Sequence, residues 1–365
     1  MIRVGVVGLG KMGLSHLALL NAHPDVTVVG VCDRAGYVLS VLGKYTGLPT
    51  FSDMEEMLEA TAVDAVVIST PSSLHAPMVD AALRRGVHVF CEKPFCLDPA
   101  DSARLADMAE SRGLVTQVGY HNRYIGTFQE VHRLLSARAI GRVTHVLAEA
   151  YGPVVLKPTG GTWRSRRREG GGSLYDYAAH PLNLINWYLG EPDRVAGTIL
   201  GRVHSAEIDD EVFSTLGFAS GASAHLSVNW SDESQRKMTT KLSFWGTDGR
   251  INVDRQECQV YLRSTAAIPD GYQEGWNVKY TTELTDPVWF YLRGEEYSAQ
   301  LDDFVQRVLA GKTEGLNSFD TAAVTDRVIA RMVADAAGVP EVGAAAEALG
   351  RRTRRRSGFP RFWRR

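Results

Sequence analysis

The 365-residue chain has only four cysteines, Cys32, Cys91, Cys96 and Cys258, and none lie in a CxxC pair. That scarcity excludes a disulfide-stapled secreted scaffold and makes a reducing cytoplasm the expected location. No spacing of His, Cys, Asp and Glu resembles a zinc site, so no metal is expected. No run of eighteen apolar residues occurs, which excludes a membrane-spanning helix. The N-terminus enters an apolar run directly, without a signal-peptide pattern. Internal repeats are absent, and neither sign of charge dominates, the net charge being −2. That balance hides an asymmetry, because Arg351 to Arg365 contains eight arginines and no acid. Such a tail can touch nucleic acid, dock on a neighbouring subunit through Phe359, Phe362 and Trp363, or stay poorly ordered. Nothing else in the chain points to nucleic acid.

What is present is the composition of a soluble globular enzyme, with 44% hydrophobic and 22% charged residues. The length exceeds one typical core. The expected division is a dinucleotide-binding domain over 1–120, an α+β domain over 121–342 and an Arg-rich tail over 343–365. In the first third, Val-rich runs alternate with helical patterns. Strands are expected at Ile2 to Val7, Val26 to Cys32, Ala65 to Ser69, Val87 to Cys91 and Val115 to Val118. This is the doubly wound α/β pattern, whose ligands bind at the carboxyl ends of the parallel strands.

Gly8-Leu9-Gly10-Lys11-Met12-Gly13 lies between the first strand and the first helix. In that position the first glycine permits a tight turn, the second admits a pyrophosphate, and the third lets helix and strand pack closely. The second strand ends at Asp33, where a carboxylate would accept hydrogen bonds from a ribose diol and repel a 2′-phosphate. NAD is therefore expected over NADP, although Arg34 keeps NADP open. Thr70-Pro71, Glu92-Lys93-Pro94 and Tyr120-His121-Asn122 all follow strands and belong to the same edge. Thr70, Pro71, His75, Glu92, Lys93 and Asn122 join the glycine turn, Asp33 and Arg34 as candidate cofactor contacts. His75 and His121 can each also be satisfied structural histidines.

After Tyr120 the pattern becomes that of a largely antiparallel sheet, from Val143 to Leu262, interrupted by a helix expected over Leu174 to Tyr188. That helix carries Asp176 and His180, four residues apart and so on one face. A carboxylate there would raise the pKa of the imidazole and suit it to acid–base work. Lys93 would hold a substrate oxygen, giving a cation, a base and a hydride acceptor, the division of labour that alcohol oxidation needs. Gly170, Gly171 and Gly172 allow close backbone approach, to a ligand or to another strand. Arg164, Arg166, Arg167 and Arg168 follow Trp163 and could meet a substrate phosphate, or form a solvated loop.

With these residues in place the chain resembles the Gfo/Idh/MocA oxidoreductases over roughly 1–335. The matching features are the glycine turn, Thr70-Pro71 with His75, Glu92-Lys93-Pro94, Gly119-Tyr120 with Arg123, and the Gly170 to His180 segment ending in Trp187-Tyr188-Leu189-Gly190. The resemblance implies a Rossmann domain plus an α/β domain whose open sheet faces a subunit partner. It also implies a cis Lys93–Pro94 bond and catalytic roles for Lys93, His180 and Asp176. Many members have Asp where this chain has Asn183, which favours His180 as the base. Tyr120, Arg123, Trp163, Arg164, Tyr175 and Asn183 complete the expected substrate contacts, with a sugar, sugar phosphate, nucleotide sugar or cyclitol as substrate. A redox-assisted glycosidase and a non-catalytic sugar-sensing regulator are the alternative readings.

Assembly is expected as a homodimer or homotetramer. Phe213, Leu216, Leu226, Val228, Trp230, Leu242, Phe244 and Trp245 are more apolar residues than one buried sheet face requires.

Overall fold

A computed structural model describes residues 1–156 and 163–339. The Arg-rich tail, and with it every expectation for Arg351 to Arg365, lies outside the described residues. The first strands are β1 (Ile2–Val7), β2 (Val26–Cys32), β3 (Thr50–Phe51), β4 (Ala65–Ile68), β5 (His88–Cys91) and β6 (Thr116–Val118). They form one parallel sheet in the order β3-β2-β1-β4-β5-β6. Its strand order reverses between β1 and β4, which creates the crevice where such sheets take ligands. Helices α1 (Lys11–Ala22), α2 (Gly36–Thr46), α3 (Met54–Ala60), α4 (His75–Arg84) and α5 (Pro99–Ser111) make the crossovers. β1 and β4 are buried almost throughout, as strands covered on both faces must be.

Helix α6 (Gly126–Ser136) leads into β7 (Val143–Tyr151), and a π-turn at Leu174–Ala178 opens α7 (Ala179–Leu189). The strands β8 (Arg194–Gly201), β9 (Glu211–Gly217), β10 (Ser223–Asn229), β11 (Lys241–Gly246), β12 (Gly249–Val253), β13 (Glu257–Leu262) and β14 (Gly275–Tyr280) follow. Their sheet runs β14-β13-β12-β11-β7-β10-β9-β8, antiparallel except where β7 pairs with β10. The short α8 (Thr281–Leu284) precedes α9 (Glu295–Ala310) and α10 (Phe319–Ala336).

Two apolar clusters hold this together. One joins α9 to the parallel sheet, with Leu301, Phe304 and Val305 against Val4, Val6 and Phe90. The other runs without a break from Val66 and Phe95 through Phe128, Leu182 and Phe319 to Val146 and Phe244, so both sheets share it. Among the described residues no helix is long and apolar enough to cross a membrane.

The large sheet corrects one expectation. Leu216, Leu226, Val228, Trp230, Leu242 and Phe244 are all buried on its helix-covered face. Of the residues expected to crowd both faces, only Phe213 and Trp245 turn outward. The outer face carries Ser227, Asn229, Ser243 and Asn252 among its apolar residues. Alternation along these strands puts those six side chains on the same face.

Candidate active site

The glycine turn is built as its spacing suggests. Gly8 adopts φ +85°, and a Cβ there would lie 2.7 Å from the Ser69 backbone. A Cβ on Gly13 would come within 1.7 Å of the Gly8 carbonyl oxygen, so this glycine seats α1 on the turn. Gly10 is different, since nothing lies within 4 Å of where its Cβ would point. That open space is what a pyrophosphate needs. Leu9 and Gly13 are buried, Met12 half-buried, and Gly10 and Lys11 exposed at the mouth. The Asp33 carboxylate accepts the Leu9 N–H at 2.5 Å and the Ala35 N–H at 2.7 Å, which fixes it beside the turn. Arg34 is exposed. These residues fit a dinucleotide.

Lys93 leaves the carboxyl end of β5 through a cis bond to Pro94. Its Nζ donates to Asp176 Oδ1 at 2.7 Å and to the Asp176 carbonyl at 2.8 Å. A π-turn breaks the regular helical ladder, and the Asp176 carbonyl in this one takes the ammonium. The second carboxylate oxygen accepts Arg164 Nε at 2.9 Å. Burial would raise the Asp176 carboxyl, but the charges of Lys93 and Arg164 outweigh it and hold the group below its usual range. The expected pairing of Asp176 with His180 is corrected here, because the carboxylate is taken by the two cations. His180 has no bond to Asp176, and its pKa is pushed well below the ordinary value by burial and then by Lys93 and His121. The imidazole is therefore neutral near pH 7, where the four-residue spacing had suggested a raised value.

His180 is 3% exposed, and its Nδ1 is buried without a partner. Tyr120 and His121 meet its ring edge-on, at 6.2 and 4.9 Å between centroids. The Tyr120 hydroxyl and Asn122 Nδ2 are likewise buried and unpartnered. His121 stacks on Tyr297 of α9 at 4.7 Å, and burial lowers its pKa to about 3. Tyr175 is half-buried beside Asp176, while Trp163 lies under the Arg164 guanidinium at 4.9 Å.

Several expected contacts have other partners. Arg123 is buried, with Nε on Asn183 Oδ1 at 2.7 Å and a second bond to the Asn183 carbonyl. Asn183 Nδ2 reaches Thr325 Oγ1 at 3.3 Å. These two residues lock α7 to the loop after β6 and α10, and Arg123 faces Trp187 at 5.5 Å. His75 is 1% exposed, with Nδ1 on the Pro94 carbonyl at 2.9 Å and Nε2 on that of Thr70 at 3.0 Å. It ties the end of β4, with Thr70-Pro71, to the lysine loop. Glu92 is held by His16 Nε2 at 2.7 Å and accepts the Lys93 N–H at 3.2 Å. Its carboxylate fills the space where a Gly119 side chain would stand.

Two contributors escaped the sequence reading. His16 faces inward from α1 to Glu92, and its spacing three residues after Gly13 and four before Leu20, on the apolar face of that helix, was the available signal. Asp209 accepts Ser173 Oγ at 2.9 Å and the Leu174 N–H at 2.7 Å, capping the π-turn from a distant loop. Nothing in its local sequence marks it.

The dinucleotide turn and Lys93 lie at the carboxyl edge of the parallel sheet and His180 on α7, and the chain is an NAD-binding oxidoreductase by the family that it matches. Residues 2–120 match the oxidoreductase family with the NAD-binding Rossmann fold, and residues 128–252 match the GFO/IDH/MocA C-terminal domain. The chain belongs to the Gfo/Idh/MocA oxidoreductases. It is 31% identical over 256 residues to dTDP-3,4-didehydro-2,6-dideoxy-alpha-D-glucose 3-reductase of Streptomyces violaceoruber, covering 70% of this chain and 73% of that one. It is 24% identical over 330 residues to myo-inositol 2-dehydrogenase of Thermotoga maritima, covering 87% and 92%. Levoglucosan dehydrogenase in complex with NADH and levoglucosan superposes with a TM-score of 0.80 at 22% identity, over 93% of this chain and 98% of that one.

Proposed function

We propose that the protein interconverts a secondary alcohol and a ketone on a sugar, sugar derivative or cyclitol, with Lys93 and His180 as its catalytic groups. The observation that carries this is the Lys93–Asp176 pair at 2.7 Å beside a neutral, buried His180, at the edge where the nucleotide turn opens. Bound NAD supplies the hydride acceptor, or in reduced form the donor. The chain's own residues manage the oxygen and its proton. Lys93 donates hydrogen bonds to the substrate oxygen and steadies the charge that develops there. Asp176 keeps the ammonium aimed. His180, uncharged, is in the form that accepts the hydroxyl proton in oxidation. The named relatives act on a dTDP sugar and on myo-inositol, which supports a polyhydroxylated substrate class. The fixed Asp33 carboxylate supports NAD over NADP.

The test is a screen of sugars, nucleotide sugars and cyclitols for NADH formation, or of their ketones for NADH consumption, with NADP in parallel. On the best substrate, Lys93→Ala is expected to lower kcat by about 10²-fold or more while NADH binding, read by fluorescence, stays close to wild type. Near-wild-type turnover in that variant would remove Lys93 from the chemistry.

A further inference from the structure

Arg164 is placed with more care than a solvated loop residue. A Cβ on Gly171 would lie 2.3 Å from the Arg164 carbonyl oxygen and 2.7 Å from that of Trp163, so only glycine lets this loop press against the run leading to Asp176. The Gly171 N–H donates to the Arg166 carbonyl at 3.1 Å, and the Arg166 N–H to that of Trp163 at 3.0 Å. The guanidinium lies over the Trp163 ring, and Nε is spent on Asp176 Oδ2. Among the described residues the two Nη atoms have no hydrogen-bond partner. The Arg164 side chain is 44% exposed, against 13% for Lys93 on the other oxygen of the same carboxylate. Two cations thus share one buried carboxylate, next to an uncharged His180.

Steadying the oxygen of a neutral alcohol needs one cation, which Lys93 supplies. The second is anchored through Nε, and its two Nη atoms have no partner among the described residues. That geometry matches a carboxylate or phosphate, which accept two parallel N–H bonds. Arg166 does not share the task, being paired with Glu169 at 2.9 Å.

We infer that Arg164 is a specificity-determining residue that binds an anionic group, carboxylate or phosphate, carried by the substrate near the reacting carbinol. This rests on the reading of Lys93 and His180 as the oxidoreductase centre.

The experiment titrates the full-length protein, saturated with NADH, with D-glucose, D-glucuronate and D-glucose 6-phosphate, following NADH fluorescence. At least one anionic sugar is expected to bind about tenfold or more tightly than glucose, and the two anions separate carboxylate from phosphate. Arg164→Gln is expected to erase that advantage, Arg164→Lys to keep only part of it, and Arg166→Gln to leave it intact. Anions that bind no better than glucose, or an advantage that survives Arg164→Gln, overturn the inference. The two readings fail separately. If Lys93→Ala keeps full turnover, the oxidoreductase centre is misplaced while anion selectivity through Arg164 can still hold. If Lys93→Ala is inactive and Arg164→Gln weakens neutral and anionic sugars alike, only the Arg164 inference falls.

Discussion

His180 and His121 lie side by side, and burial lowers the pKa of both, His121 to about 3. For catalysis the sign is direct. A base with a depressed pKa stays unprotonated as pH falls through the ordinary imidazole value of about 6.5. The acid limb of kcat/KM for alcohol oxidation is therefore expected below pH 6.5, and a limb at or above that value would mark a solvated, ordinary ring. For stability the same depression means that the unfolded chain binds protons the folded one refuses. Stability contributed by the neutral rings is full above about pH 6.5 and is lost as pH falls toward their folded values. His121→Phe should flatten the decline of melting temperature between pH 6.5 and 4; an unchanged slope would show that the ring is not held neutral by the fold. Lys93, Asp176 and His180 could be named from their neighbours in sequence. The sign of the shift on His180 could not, because it depends first on burial and then on Lys93 and His121 arriving from elsewhere in the chain.

The turn between β1 and α1 offers a contrast between two glycines of one motif. Gly10 has φ −69°, which any residue adopts, and open space at its Cβ position. Gly10→Ala should fold with an unchanged melting temperature and bind NAD about tenfold or more weakly, because the methyl group occupies the anion's space. Gly13→Ala meets the Gly8 carbonyl and should lose on the order of 2–3 kcal/mol of stability. Thermal melts and NADH titrations read both, and equal losses of stability would refute the distinction. The parallel strands β1 and β2 were legible to the residue, since buried Val-rich runs bounded by Gly or Asp have few other readings. β14 was missed, as a short Gly-Trp-Asn-Val-Lys-Tyr segment whose apolar residues face outward. The helix expected over Leu174 to Tyr188 was real, but its first turn is wide, a variant that apolar periodicity does not reveal.

At the scale of the molecule, the outer face of the large sheet is the surface to test. Ile199, Phe213, Tyr261, Trp276 and Val278 remain exposed there, with Trp276 at 53%. The revised face is more polar than the sequence suggested, and the case for assembly rests on these side chains alone. A homodimer or homotetramer through this sheet is still our expectation, burying more than about 1,000 Å². Light scattering should show it at micromolar concentration, and Trp276→Asp should shift it toward monomer. A monomeric wild type would leave these aromatics to another partner.

Helix α9 covers β1 and β5 from the far end of the chain, and this dictates an order of events during synthesis. When residue 120 has been made, the nucleotide-binding sheet is complete in strands, but the face that it shares with α1 still lacks Leu301, Phe304 and Val305. At ribosomal speeds of about 5–20 residues per second, the wait for α9 is roughly 10–40 s. Through that interval Val4, Val6 and Phe90 have only α1 as cover, with Leu17 and Leu20 in their cluster. The nascent protein is exposed to aggregation late in its translation, and any early stop between the two matched regions yields a fragment with an apolar wall.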